Sequence, residues 1–143
     1  MWELVARCVG GKVLVGGLGL GILTNLLALR RDVSSLTVVE IAPEVIEMVQ
    51  PYLSQYIPIK IIGRDFLDSW KLEEKNFDSV IIDIFIGTPE ERKLFQDVQS
   101  LIESRFTDAQ HLYWAYQKDH ELELLQHALW SSKTDEERGK NRK

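Results

Sequence analysis

The sequence predicts an α/β fold, a doubly wound parallel sheet of about five strands with helices on both faces. Two observations carry this prediction. Short apolar runs alternate with segments whose apolar residues recur at helical spacing, and a glycine cluster follows the first apolar run. Alternating strands and helices imply right-handed crossovers between parallel strands. In such sheets ligands bind at the carboxyl ends of the strands, near the point where the strand order reverses.

The chain opens with a predicted helix over residues 2–9. The single cysteine, Cys8, lies on this helix and is expected to be a buried thiol. One cysteine excludes an internal disulfide framework and a multi-cysteine metal site. The helix is expected to bury four apolar side chains on one face: Trp2, Val5, Ala6 and Val9.

The next segment predicts a strand, a helix and a second strand. The apolar run Val13-Leu14-Val15 indicates a strand at 12–15. Leucines at helical spacing then predict a helix at 20–30, and a further apolar run predicts a strand at 36–41. This order is typical of one parallel strand-helix-strand unit.

A glycine turn and an acid mark the ends of these two strands. Gly17, Gly19 and Gly21 let the backbone approach a ligand where a Cβ would clash. Glu40 ends the second strand, where its carboxylate can accept hydrogen bonds from both hydroxyls of a ribose. The dinucleotide fingerprint fails because Ile22 occupies its third glycine position, and no P-loop follows. The pattern favours a nucleotide-like cofactor, and a tight turn without a ligand is the alternative.

The rest of the chain continues the alternation. Pro43 suits the first position of a helix, and the near-continuous apolar run at 77–85 is typical of a strand buried on both faces. Acids in its first turn favour a helix beginning at Pro89. The predicted elements are a helix from Pro43, strands at 57–62 and 77–85, a helix at 89–105, a strand at 111–116 and a helix capped by Asp119.

Two more acids follow strands in this half. Asp65 comes after the third predicted strand, and Asp83 lies near the end of the fourth. Together with the glycine turn and Glu40, they place four chemical features at four strand ends of one sheet edge. Asp83 interrupts an apolar run, where an unpaired charge is costly to bury, so we expect it to have a role or a partner.

The composition limits the classes of partner and location that we expect for the chain. A formal net charge of −5 argues against duplex nucleic acid as a partner, because phosphate binding favours a basic face. No apolar run approaches the ~20 residues of a membrane span, and the opening residues lack the pattern of a signal peptide. We therefore expect one cytoplasmic domain over residues 1–130, followed by a disordered polar tail over 131–143.

Four segments between Lys12 and Phe85 carry a resemblance to a known family. They read VLVGGLGLG, VVEIAPEVIEMV, GRDFLDSW and FDSVIIDIF. Jointly they resemble the class I S-adenosylmethionine-dependent methyltransferases, and within them the spermidine-synthase-like branch. The resemblance implies a Rossmann-like fold and S-adenosylmethionine as the cofactor.

The resemblance also implies a role for each motif residue. Asp83 would face the methionine amine of the cofactor or the acceptor substrate. No metal ligand is implied. The cofactor-binding residues would be Gly17, Gly19 and Gly21 under the methionine and ribose, Glu40 at the ribose hydroxyls, Ile41 and Phe66 against the adenine, and Asp65 at its amino group.

Departures from the family pattern leave three functions open. Ile86 replaces the second acid that spermidine synthases use to deprotonate the amine, which disfavours aminopropyl transfer. The family's amino-terminal β-domain and the C-terminal strand pair of the sheet have no counterpart, so a truncated domain is expected. The candidates are a methyltransferase for an unknown acceptor, an aminopropyl transferase, and a non-catalytic cofactor-binding or oligomerising domain. An exposed strand at 111–116 would favour a homodimer.

Overall fold

A computed structural model describes residues 1–114, which form a five-stranded parallel sheet flanked by helices. Short 3-10 helices lie at Gln50–Tyr52, Phe66–Lys71 and Pro89–Glu91. The helices and strands are, in chain order, α1 (Trp2–Arg7), β1 (Gly11–Gly16), α2 (Ile22–Ala28), β2 (Val33–Glu40), α3 (Pro43–Val49), β3 (Ile59–Gly63), β4 (Ser79–Ile82), α4 (Arg92–Arg105) and β5 (Gln110–Tyr113).

The strand order is β3-β2-β1-β4-β5, and every neighbouring pair is parallel. The chain builds outwards from β1 to β2 and β3, and then crosses back to place β4 on the other side of β1. The strand order therefore reverses between β1 and β4, and their carboxyl ends form the expected crevice for a ligand. The predicted doubly wound α/β fold is confirmed.

Side chains of the central strand alternate between two buried clusters. Val13 and Val15 face a cluster shared with α1, α2 and α3, whereas Leu14 faces a cluster shared with α4. Successive strand residues point to opposite faces of a sheet, so β1 contributes to both layers. All three valine and leucine side chains have no exposed surface. The prediction of helices on both faces is confirmed.

The predicted buried face of the first helix is confirmed at Val5 and wrong at Trp2, Ala6 and Val9. Trp2 and Val9 are 71% and 62% exposed, whereas Leu4, Val5 and Cys8 are buried. The helix ends at Arg7, so Val9 lies beyond it, and the face that meets the sheet is rotated towards Leu4. The expectation of a buried thiol at Cys8 is confirmed.

Arg30 joins the end of α1 to the end of α2. Its guanidinium donates to the backbone carbonyls of Val5 and Cys8. It also forms a bidentate ion pair with the carboxylate of Asp32. The hydrogen bond from Arg30 lowers the pKa of the Asp32 carboxyl. A cation placed at the last carbonyls of a helix satisfies groups that lack a partner within the helix. Arg30 therefore helps hold α1 against the sheet.

The predicted strand at 77–85 is longer than the strand observed. β4 covers only Ser79–Ile82, although the apolar run continues on both sides. The aromatic rings at its two ends pack on the α4 side of the sheet, with Phe77 edge-on to Phe106 and Phe85 edge-on to Phe95. The apolar run therefore indicates buried residues on both sides of the strand as well as within it. The predicted helix from Pro89 likewise begins as a 3-10 turn before α4.

Several expectations fall outside residues 1–114. These are the end of the strand predicted at 111–116, the helix capped by Asp119, the tail at 131–143 and the missing strand pair. Within the described part, no helix has the length and apolar character needed to cross a membrane. Nor does any group of three or more His, Cys, Asp or Glu side chains in that part have the arrangement to hold a metal ion.

Candidate functional site

The strand register brings three predicted site residues to one level of the sheet. Gly16 at the end of β1 pairs with Val39 of β2 on one side and Ile82 of β4 on the other. The residues that follow these three are Gly17, Glu40 and Asp83. They therefore lie side by side at the carboxyl edge, across the point where the strand order reverses.

Glu40 is a buried acid that holds the glycine turn. The residue is 9% exposed; one carboxylate oxygen accepts from the Leu18 backbone N–H at 2.8 Å and the other from the Ala42 backbone N–H at 3.0 Å. Two hydrogen bonds leave lone pairs unused, since an ionised carboxylate can accept about four. Glu40 can thus fix the turn and still accept from hydroxyl groups of a ligand.

The three glycines of the turn differ in what surrounds them. A Cβ on Gly17 would lie 2.5 Å from the Asp83 carbonyl oxygen, and one on Gly21 would lie 2.8 Å from Val49. A Cβ on Gly19 would meet nothing within 4 Å. All three have positive φ angles, so the turn itself favours glycine at each position. Gly19 alone of the three faces open space, and it is the position where a ligand has room.

The residues expected around an adenine ring are placed unequally. Ile41 is 66% exposed, so it is accessible to a flat ring. Asp65 is also exposed, but it caps the following 3-10 helix, because one of its oxygens accepts from Leu67 N–H at 2.9 Å. Phe66 is only 4% exposed, and its ring lies against the backbone of Gly16. Phe66 therefore packs mainly in the core, and its contact with adenine stays a prediction.

Asp83 extends the edge from β4. Its backbone N–H donates to the Gly16 carbonyl at 2.8 Å, which continues the pairing of β4 with β1. Its carboxyl group is half-buried and has no hydrogen bond to another residue of the part described. Burial raises the pKa of Asp83, and the positive charge of the chain's amino group opposes this shift. A half-buried carboxyl with a raised pKa is a candidate for proton transfer.

The raised pKa of Asp83 predicts a pH-dependent gain in stability for Asp83→Asn. Burial disfavours the charged form, so the folded wild type binds its proton more tightly than the unfolded chain does. Its stability therefore falls as pH rises through the range between the unfolded and folded pKa values. Asparagine has no such loss. Urea unfolding should show Asp83→Asn more stable than wild type at pH 7, with the difference shrinking towards pH 3. A difference that grows at acid pH would contradict this cause.

Glu91 is a site-proximal residue that the sequence reasoning did not single out. One of its oxygens accepts from the consecutive backbone N–H groups of Ile86, Gly87 and Thr88, at 3.0, 2.9 and 3.3 Å. These residues form the loop after β4 and Asp83. The available signal was the pair Thr88 and Glu91, because a threonine followed three residues later by a glutamate is a capping box.

No protein-family profile and no curated protein sequence matches the chain. Solved structures with the same fold are nevertheless found. They include a 23S rRNA methyltransferase, ErmE (24% identity, TM-score 0.52), the N-methyltransferase NodS from Bradyrhizobium japonicum WM9 (18%, 0.53), and an S-adenosylmethionine-dependent methyltransferase from Clostridium acetobutylicum ATCC 824 (14%, 0.55).

These alignments cover 67%, 71% and 73% of this chain, respectively. The same alignments span only 38%, 55% and 42% of the solved chains. At such identities the likeness establishes the architecture. The described residues therefore have the Rossmann-like fold of S-adenosylmethionine-dependent methyltransferases.

Proposed function

We propose that the chain binds S-adenosylmethionine at the carboxyl edge of its sheet and transfers the methyl group to an acceptor that is still unidentified. The observation that carries the proposal is the hydrogen bond from Leu18 to the buried carboxylate of Glu40. It fixes an acid beside a turn whose next residue, Gly19, has open space where a side chain would stand. The methyltransferase fold supports the same assignment.

The residues present fit this cofactor. Glu40 retains acceptor capacity for ribose hydroxyls, Gly19 leaves room for close approach, and the exposed Ile41 can contact an adenine ring. Asp65 and Phe66 are proposed for the remaining adenine contacts, through the amino group and the ring. When bound, the cofactor supplies a methyl group on a positively charged sulfur.

Asp83 is the residue we assign to the acceptor side. It directly follows β4, next to Gly17 and across β1 from Glu40. Its raised pKa favours accepting a proton, because a general base works best with a pKa close to the working pH. Where the acceptor loses no proton, Asp83 would only orient it, and positioning would supply the rate gain.

Replacing Glu40 tests the cofactor assignment. Glu40→Ala removes the ribose acceptor and the support of the turn, so affinity for S-adenosylhomocysteine should fall by ~1–3 kcal/mol, or about 5- to 150-fold. Isothermal titration calorimetry measures this change. Glu44→Ala is the matched control, because Glu44 is an exposed acid in the first turn of α3. Equal affinities of wild type and Glu40→Ala for S-adenosylhomocysteine would show that Glu40 does not contribute to cofactor binding.

Aminopropyl transfer is the second candidate, retained from the likeness to the spermidine-synthase-like branch. Asp83 matches the first acid of that branch, but Ile86 is 83% exposed and apolar at the position of the second. Without that acid, nothing at this position deprotonates an amine. Incubation with decarboxylated S-adenosylmethionine and putrescine should therefore give no product above a no-enzyme control. Product formation would favour the branch assignment over methyl transfer.

Cofactor binding without turnover is the third candidate that the sequence leaves open. We also propose a homodimer through β5, which forms one edge of the sheet among residues 1–114. Sedimentation equilibrium tests the homodimer, and a monomer at high protein concentration would refute it.

A cytoplasmic location and the lack of a nucleic-acid partner remain proposals from the composition, with its net charge of −5.

A further inference from the structure

The loop after β4 presents an exposed apolar side chain next to the proposed acceptor side. Ile86 is 83% exposed, whereas Phe85, the residue before it, is buried against Phe95 of α4. Gly87 follows with a φ angle of +87°, a conformation that favours glycine. An exposed loop with a glycine would normally sample many conformations, so something must hold this one.

Glu91 supplies the restraint. Its carboxylate accepts from three consecutive N–H groups, those of Ile86, Gly87 and Thr88. Hydrogen bonds to a charged acceptor are about twice as strong as neutral ones. The neighbouring Glu90, on the same 3-10 turn, is exposed and has no part in these bonds. The restraint therefore belongs to one of two adjacent acids.

The loop is continuous with the edge of the site. Asp83 donates its N–H to Gly16, and the Ile84 side chain lies 3.0 Å from where a Cβ of Gly17 would stand. Because Asp83 and Ile84 directly precede the residues that Glu91 holds, movement of the loop would reach the glycine turn and the backbone of Asp83. The hydrogen bonds of Glu91 thus act on a segment that touches the proposed cofactor turn on one side and the acceptor side on the other.

We propose that Glu91 is a positioning residue that fixes the loop at 84–88, and through it the environment of Asp83 at the acceptor side of the site. This inference rests on the proposed function for the meaning of the site, but the restraint itself can be measured without a substrate. Glu91 would act through the loop alone, without contact to the cofactor or the acceptor.

The test compares Glu91→Gln with Glu90→Gln and wild type by nuclear magnetic resonance. In Glu91→Gln, amide hydrogen exchange at residues 86–88 should be about 10- to 100-fold faster, and Glu90→Gln should match wild type. The pKa of the Asp83 carboxyl, followed by its carbon shift, should fall towards the ordinary value as water reaches it. Glu91→Asp keeps the charge but shortens the side chain, so the same two changes there would exclude a direct charge effect.

Unchanged exchange in Glu91→Gln would overturn the restraint. Faster exchange with an unchanged Asp83 titration would reduce Glu91 to a helix cap and overturn the positioning role. Should Glu91→Gln not fold, Glu91→Asp decides on the same two readouts. Adding S-adenosylhomocysteine to the wild-type sample separates the two proposals, because failure to bind it would refute the proposed function while the exchange and titration results still decide the role of Glu91.

Discussion

Gly17→Ala should lower the free energy of unfolding by about 2–5 kcal/mol, the sum of a left-handed alanine (~1–2 kcal/mol) and an overpacked interior (~1–3 kcal/mol). Gly17 has a φ angle of +94°, and its added Cβ would lie 2.5 Å from the carbonyl oxygen of Asp83. That oxygen belongs to backbone paired with β1, so it cannot move aside cheaply. Urea unfolding followed by circular dichroism measures the loss.

Gly19→Ala is the matched control for this substitution. Gly19 has a φ angle of +52° and no atom within 4 Å of an added Cβ, so only the conformational cost of about 1–2 kcal/mol applies. We therefore expect Gly17→Ala to be clearly less stable than Gly19→Ala. Equal losses would mean that the contact between Gly17 and Asp83 carries no strain and that only the turn conformation requires glycine.

Gly19→Val should abolish binding of S-adenosylhomocysteine while leaving a folded protein. The open space beside Gly19 would be filled by a branched side chain, and the same space is where the ligand has to approach. Calorimetry should show at least a hundredfold loss of affinity, or about 2.7 kcal/mol. The effect on folding should be smaller than the effect on binding, because the added Cβ meets no protein atom within 4 Å. Normal binding by a folded Gly19→Val would show that the turn is only a structural device.

The order of the elements could be predicted because periodicity is a local property. The apolar run at β1 and the leucines of α2 each indicate the burial of their own segment, and the alternation of such segments predicts parallel strands joined by helices. The glycine turn and Glu40 could likewise be placed at the sheet edge. The turn follows one predicted strand and Glu40 ends the next, and the carboxyl ends of parallel strands lie at the same edge of a sheet.

Features that depend on which residues meet could not be predicted in this way. The sequence could not show that the ring of Phe66, which is proposed for the adenine, packs against Gly16, because the 3-10 helix that turns the ring inwards is defined only by the fold. Arg30 lies just after α2, yet it reaches the carbonyl groups at the end of α1, which are more than 20 residues away in the sequence. The hydrogen bonds that Glu91 accepts depend on the path of the loop at 84–88, which only the fold defines.

The most direct measurement is a calorimetric titration of the wild-type chain with S-adenosylhomocysteine and, separately, with NAD. Glu40 beside a G-x-G-x-G turn predicts that the adenosyl ligand binds with one site per chain and that NAD gives no heat of binding, because the third glycine of the dinucleotide fingerprint is Ile22. Binding of NAD without binding of S-adenosylhomocysteine would contradict the proposed S-adenosylmethionine site.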